Sequence, residues 1–172
     1  TGIAPEHPDF EGRAKVGFDA TGGDGVDRDG HGTHVAGTIG SKTYGVAKQV
    51  DLVGVKVLGD DGNGSNEDII KGLDWVAEDA AGKPSVANMS LGGDKDPAMN
   101  EGVFLAVAAG NEGQDAKNVS PASAEDVFTT AGSNADDGSA DNENWTTNYG
   151  RVVEGYAPGT DIVSTVPGGG TE

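Results

Sequence analysis

Two of the chain's three histidines stand in Asp29-Gly30-His31-Gly32-Thr33-His34-Val35-Ala36-Gly37-Thr38-Ile39-Gly40. A histidine between glycines at the head of a small-residue helix has a definite chemical use. Glycine admits a second backbone at close range. The positive end of the helix disfavours imidazolium, so the ring stays neutral and able to accept a proton. His31 is therefore a candidate general base. The bland alternative is a structural histidine at the start of a buried helix. A metal role for the preceding loop fails on spacing. With Gly30 at the sixth position of a calcium-binding EF-hand loop, Gly25 would have to be the first ligand and Ala36 would stand where a glutamate is needed.

His31-Gly32-Thr33-His34-Val35-Ala36-Gly37-Thr38 resembles the histidine motif of the subtilisin-like serine proteases (subtilases), in particular the proteinase K-like branch. The resemblance makes His31 the catalytic base and His34 its structural neighbour. In the family an aspartate precedes a Thr-Gly or Ser-Gly pair, and a His-Pro-Asp-Phe/Leu element follows. Thr1-Gly2 and His7-Pro8-Asp9-Phe10 match that order, which puts the aspartate just before Thr1, outside the sequence. The nucleophilic serine belongs to a Gly-Thr-Ser-Met motif beyond the segment that resembles residues 161–172. No serine here has that setting, so the chain is expected to be the central piece of a protease domain, incomplete at both ends, and inactive by itself towards casein.

The same resemblance assigns the remaining site. Asn111, in Ala108-Ala109-Gly110-Asn111, is the side-chain donor to the oxyanion. Ser90-Leu91-Gly92 and Ala108-Ala109-Gly110 form two walls of the primary pocket, roomy and apolar, which favours large apolar or aromatic side chains before the cut. Gly62 and Asn63 contact the substrate as an added strand. Asn66 stands where relatives carry a larger residue at a second apolar pocket. A structural calcium ion would be held by the carbonyls of Glu125 and Val127 and the carboxylate of Glu154, although glutamate replaces the usual aspartate at 154 and Glu125 stands at a frequent proline position. No organic cofactor is expected.

These residues need elements to carry them. Residues 17–30 read as a Gly/Asp loop leading to the His31 helix. Residues 50–58 read as a largely buried strand. Ser65-Asn66-Glu67-Asp68 is a capping-box pattern that opens a helix over 67–80, with Ile69, Ile70, Leu73, Val76 and Ala77 on its core face. Strands are expected over 85–93, 103–112, 127–133 and 161–166, with a short extended piece between 148–150 and 156–159. Strands alternating with helices imply an α/β fold, a three-layer α/β/α stack with a mostly parallel central sheet, as in subtilisin-like proteins. Functional residues then collect at the carboxyl ends of the strands. His31, Leu91-Gly92 and Gly110-Asn111 all fall at such ends or at a helix start. Between Leu91 and Val103 only 11 residues are available for a crossover. A parallel crossover needs about a dozen or more, so the single domain over 1–172 is expected to lack a helix near 100–102.

Composition sets the outer limits. The chain has 172 residues, 30 of them glycine, and 29 acids against 11 bases give a net charge of −18. Such acidity repels phosphate, which argues against nucleic acid, and it argues equally against an anionic membrane. No cysteine is present, so disulfides and thiolate metal sites are absent. The expectation is a secreted, extracellular, monomeric serine endopeptidase domain. Its partners would be polypeptide substrates, with a propeptide or protein inhibitor as a further candidate. The alternative is a non-catalytic subtilase-fold binding or scaffold protein.

Overall fold

The computed structural model describes residues 1–96 and 104–172. The short crossover and the absent helix expected near 100–102 lie outside the described residues. In chain order the elements are β1 (Ala14–Asp19), α1 (His31–Gly40), β2 (Leu52–Lys56), α2 (Asn66–Ala80), β3 (Ala87–Met89), β4 (Gly93–Asp94), β5 (Leu105–Ala108), β6 (Val119–Ser120), β7 (Val127–Ser133), β8 (Gly155–Pro158), β9 (Thr165–Val166) and β10 (Gly170–Thr171). They fall into two units, Thr1–Val76 with Val163–Glu172, and Ala77–Ile162.

In the first unit β1 and β2 pair in parallel, Ala14 opposite Leu52 and Asp19 opposite Lys56. Residues 17–19, expected to begin the Gly/Asp loop, instead complete β1. The reason is packing. The Trp75 indole stacks on Phe18 with ring centroids 5.9 Å apart and planes 6° from parallel. A Cβ on Gly17 would run into Trp75 and Val53, so only glycine lets the ring lie across the strand. Ile3, Phe10, Ala36 and Leu52 form the core, with Ala14, Val16 and Ile39 against it. The expected strand over 50–58 shortens to Leu52–Lys56, and Val50 and Val53 remain 38% exposed. Among the described residues β2 pairs with β1 alone.

α2 starts as its sequence implies. Ser65 Oγ accepts the Asp68 N–H at 3.1 Å and donates to the Asp68 carboxylate at 2.7 Å. Ile69 and Gly72 are buried, and Ile70, Leu73 and Val76 half-buried, whereas Ala77, expected on the core face, is exposed. The buried and half-buried positions 69, 72, 73 and 76 keep helical spacing. The expected final strand over 161–166 contracts to β9, which folds back on β10 as an antiparallel hairpin. Gly168 and Gly169, with φ of +86° and +81°, supply the left-handed backbone of that turn.

The second unit is built on a four-stranded parallel sheet in the order β3-β5-β7-β8. The register places Ala108 opposite Thr130, and Thr130 opposite Gly155. β7 has the expected bounds. Residues 155–158, expected only as part of an extended piece, form the edge strand β8. Pro158 ends it, which an edge tolerates because proline has no N–H to pair. Ala109, Ala116, Val119, Ala122 and Ala131 form the core on one face, with Val152 and Val153 packed against them. Among the described residues the two units contain mostly parallel strands and two α-helices, an α/β fold.

Candidate active-site residues

His31 is the first residue of α1. Gly30 caps the helix with φ +112° and no side chain. Two carboxylates supply the cap instead. Asp29 Oδ2 accepts the His31 N–H at 3.0 Å. Asp27, 2% exposed, accepts from Gly30 N at 3.0 Å and from Thr33 N at 2.8 Å. Asp27 Oδ1 also takes the Thr1 hydroxyl at 2.8 Å, and Thr1 Oγ1 accepts the Gly32 N–H at 2.8 Å. Thr1-Gly2 thus lies directly on the first turn of α1. A Cβ at Gly32 would collide with the Gly2 carbonyl, so Gly32 is the glycine that admits a second backbone. Buried Lys56 holds the same segment, its Nζ donating to the Thr1 carbonyl at 2.6 Å and pairing with Asp60 at 3.0 Å.

The His31 pKa lies below the ordinary histidine value. Loss of water around the ring is the main cause, and Asp29 and Asp27 oppose it. His31 is nonetheless exposed at the head of the helix. Gly62 and Asn63 occupy a tight loop in the same unit. Asn63 O accepts the Gly59 N–H at 2.7 Å and Gly62 N donates to Gly59 O at 3.1 Å. A Cβ on Gly62 would be 3.5 Å from Asp29 Oδ1, which puts this loop beside the His31 turn.

In the second unit Ser90, Ala108, Ala109, Gly110 and Asn111 line one cavity of about 370 Å³ at the carboxyl ends of β3 and β5. Trp145 and Thr147 add to the lining from another loop. Leu91 and Gly92 are not part of the lining. They follow between β3 and β4, where Gly92 approaches Val119 and Ser120. The lining carries no charged side chain. Of the calcium candidates, Val127 opens β7 and Glu125 lies in the turn before it. Glu154 precedes β8 and its Oε2 accepts the Thr129 N–H at 2.6 Å. Among the described residues no group of three or more His, Asp or Glu side chains is arranged to hold a metal ion. A site there must draw on backbone carbonyls.

Sequence reasoning passed over Asp27, which it read only as part of the loop before α1, and Asn148, which it read only as flanking a short extended piece. Asp27 could have been found from its place four residues before His31 and six before Thr33, the distance at which a carboxylate folds back on a helix start. Asn148 carries no comparable signal, because its partners are about 36 residues away.

Comparison with known proteins agrees with these observations. The model of the subtilase family (peptidase S8) matches residues 1–170. Subtilisin-like protease 6 of Trichophyton rubrum is 50% identical over 189 aligned positions, covering 100% of this chain and 45% of its own length. Subtilisin-like serine protease Pen ch 13 of Penicillium rubens is 51% identical over 185 positions, with the same coverage. The crystal structure of a cold-adapted subtilisin-like serine proteinase superposes with a TM-score of 0.90 at 42% identity, covering 100% of this chain and 65% of that one. The chain thus spans less than half the length of the curated relatives it matches.

Proposed function

The chain belongs to the subtilase family and has its α/β fold, and from that premise we propose that it carries the general base, the oxyanion donor and part of the substrate-binding surface of a serine endopeptidase. One observation carries the assignment of the base. Thr1-Gly2 is seated on the first turn of α1 by the Gly32 N–H and by Asp27, so a residue preceding Thr1 is delivered to the turn that bears His31. An aspartate there orients the imidazole and stabilises its protonated form. His31 takes the proton of an attacking seryl hydroxyl supplied outside these residues. It then returns that proton to the leaving amine. The Asn111 carboxamide donates to the tetrahedral oxyanion, and the cavity beside it receives the side chain before the cut.

The small, uncharged lining supports cleavage after large apolar or aromatic residues, with Gly62 and Asn63 pairing with the extended substrate. Calcium fits the Glu125, Val127 and Glu154 positions as a structural ion, because all three offer oxygen. The Thr129 N–H already aims the Glu154 carboxylate at the start of β7. Its binding would show as a higher melting temperature in calcium than in chelator. A secreted monomer is the reading that accords with the acidic surface, and no helix among the described residues is long and apolar enough to cross a membrane.

Kinetics of the full-length protein on peptide nitroanilides test the proposal. Phe or Leu before the cut should be preferred over Lys, and His31→Ala should lower kcat by about 10⁴–10⁶. Unchanged turnover in the variant would overturn the assignment of the base.

A further inference from the structure

One buried side chain holds the turn that bears Asn111. Asn148 is 0% exposed. Its Oδ1 accepts the Glu112 N–H at 3.1 Å and the Gln114 N–H at 2.9 Å. Its Nδ2 donates to the Ala109 carbonyl at 2.9 Å and to Glu112 Oε2 at 2.6 Å. Both donors and both acceptor positions of the carboxamide are therefore used. Glu112 Oε2 also accepts the Asn111 N–H at 3.1 Å. The backbone adds Asn148 N to Gly110 O at 2.9 Å and Thr146 N to Asn111 O at 3.2 Å. Each residue from 109 to 112 is thus tied to Asn148, to its partner Glu112, or to the 146–148 segment. Gly110 adopts φ +98°, and a Cβ there would meet Asn148 Nδ2 and Glu112 Oε2, so the latch also dictates that glycine.

A fully satisfied buried amide specifies one conformation, since any shift leaves a desolvated polar group unpaired. An oxyanion donor has the matching need, because it works only when placed before charge develops. We infer that Asn148, through Glu112 and the 109–112 backbone, is a positioning residue that fixes the aim of the Asn111 carboxamide at the mouth of the second unit's cavity. The inference rests on the assignment of Asn111 as oxyanion donor. Neither Asn148 nor Glu112 touches the reacting atoms.

A double-mutant cycle in the full-length enzyme tests it, with kcat and KM read on a peptide nitroanilide and the melting temperature alongside. Asn148→Asp keeps the shape and the Oδ1 acceptor but turns a carboxylate oxygen towards Ala109 O and Glu112 Oε2. Asn111→Ala should lower kcat by about 10²–10³. Asn148→Asp should lower kcat by about 10–100-fold with KM within about threefold. Combining the two should slow turnover by no more than about threefold beyond Asn111→Ala, because both act on one donor. Glu112→Gln, which keeps an acceptor for Asn148 Nδ2, should recover most of the kcat that Glu112→Ala loses. Losses that multiply in the double variant would overturn the inference, as would an Asn148→Asp protein with a lower melting temperature and unchanged kcat. Should Asn148→Asp fail to fold, the cycle between Glu112→Ala and Asn111→Ala decides by the same rule. Full activity in Asn111→Ala would remove the oxyanion assignment and this inference with it, a result distinct from multiplied losses.

Discussion

Asp27 accepts five hydrogen bonds, from the hydroxyls of Thr1 and Thr33 and from the N–H groups of Asp29, Gly30 and Thr33. Burial pushes its carboxyl pKa up, but the bonds from Gly30, Thr33 and Thr1 outweigh burial and hold it below the ordinary 3.8. A depressed aspartate pKa stabilises the fold above the unfolded value, and that contribution is lost as pH falls through the folded one. Asp27→Asn should therefore cost about 2–3 kcal/mol at pH 7 by urea denaturation, and the gap from the unsubstituted protein should narrow below pH 3.8. His31 has the opposite chemistry and the same slope. Its lowered pKa favours the neutral ring in the folded state, so stability falls as pH drops below the ordinary 6.5. Proton NMR of the 172-residue chain should show His31 titrating below 6.5. A carboxylate at the position before Thr1 would raise that value, so the full-length protein should titrate higher. Equal values in the two would mean that no acid reaches the ring.

α1 ties both of the other segments of its unit to the base. Its N-terminal N–H groups hold Thr1, and its carbonyls at Thr33 and His34 accept the hydroxyls of Thr165 and Ser164 at 2.9 and 2.8 Å. Helix and β9 meet at Gly37, where a Cβ would overlap both of those hydroxyl side chains. Gly37→Ala should thus cost about 2 kcal/mol and expose the 163–172 hairpin to protease; an unchanged denaturation midpoint would contradict that packing. Much of this unit was legible in advance. The small residues of α1 announced close approach, and Ser65 with Asp68 announced the start of α2. β7 was legible because its Val, Phe and Thr favour an extended chain. β1 was not, because its Gly17 reads as a loop residue until the Trp75 ring that requires it is known. The truncated β2 and β9 were not, since their ends depend on which neighbours pair. Within the site, Gly110 and Asn111 could be placed from strand ends alone, whereas Leu91 and Gly92, placed the same way, fall outside the cavity lining, and Ser90, Ala108 and Ala109 came from the resemblance. Asn148 could not, because its role exists only after two distant segments meet.

Over the whole molecule, 29 acids against 11 bases leave a net charge of −18 that self-repulsion must tolerate. Raising salt from about 0.1 M to 1 M shortens the screening length from about 10 Å to 3 Å. The melting temperature should rise by about 3–8 °C over that range, the equivalent of about 1–2 kcal/mol; a flat dependence would mean that the acids are already paired. The same count explains why nucleic acid and anionic membranes were set aside from composition, while the peptidase reading needed the His31 motif and the relatives. Labelling of the full-length protein by a fluorophosphonate, which reacts only with a serine activated by a neighbouring base, tests that reading most directly. The protein should label at one serine, and His31→Ala should abolish labelling without changing the fold. A folded full-length protein that does not label, or a His31→Ala protein that labels as well as the original, would contradict it.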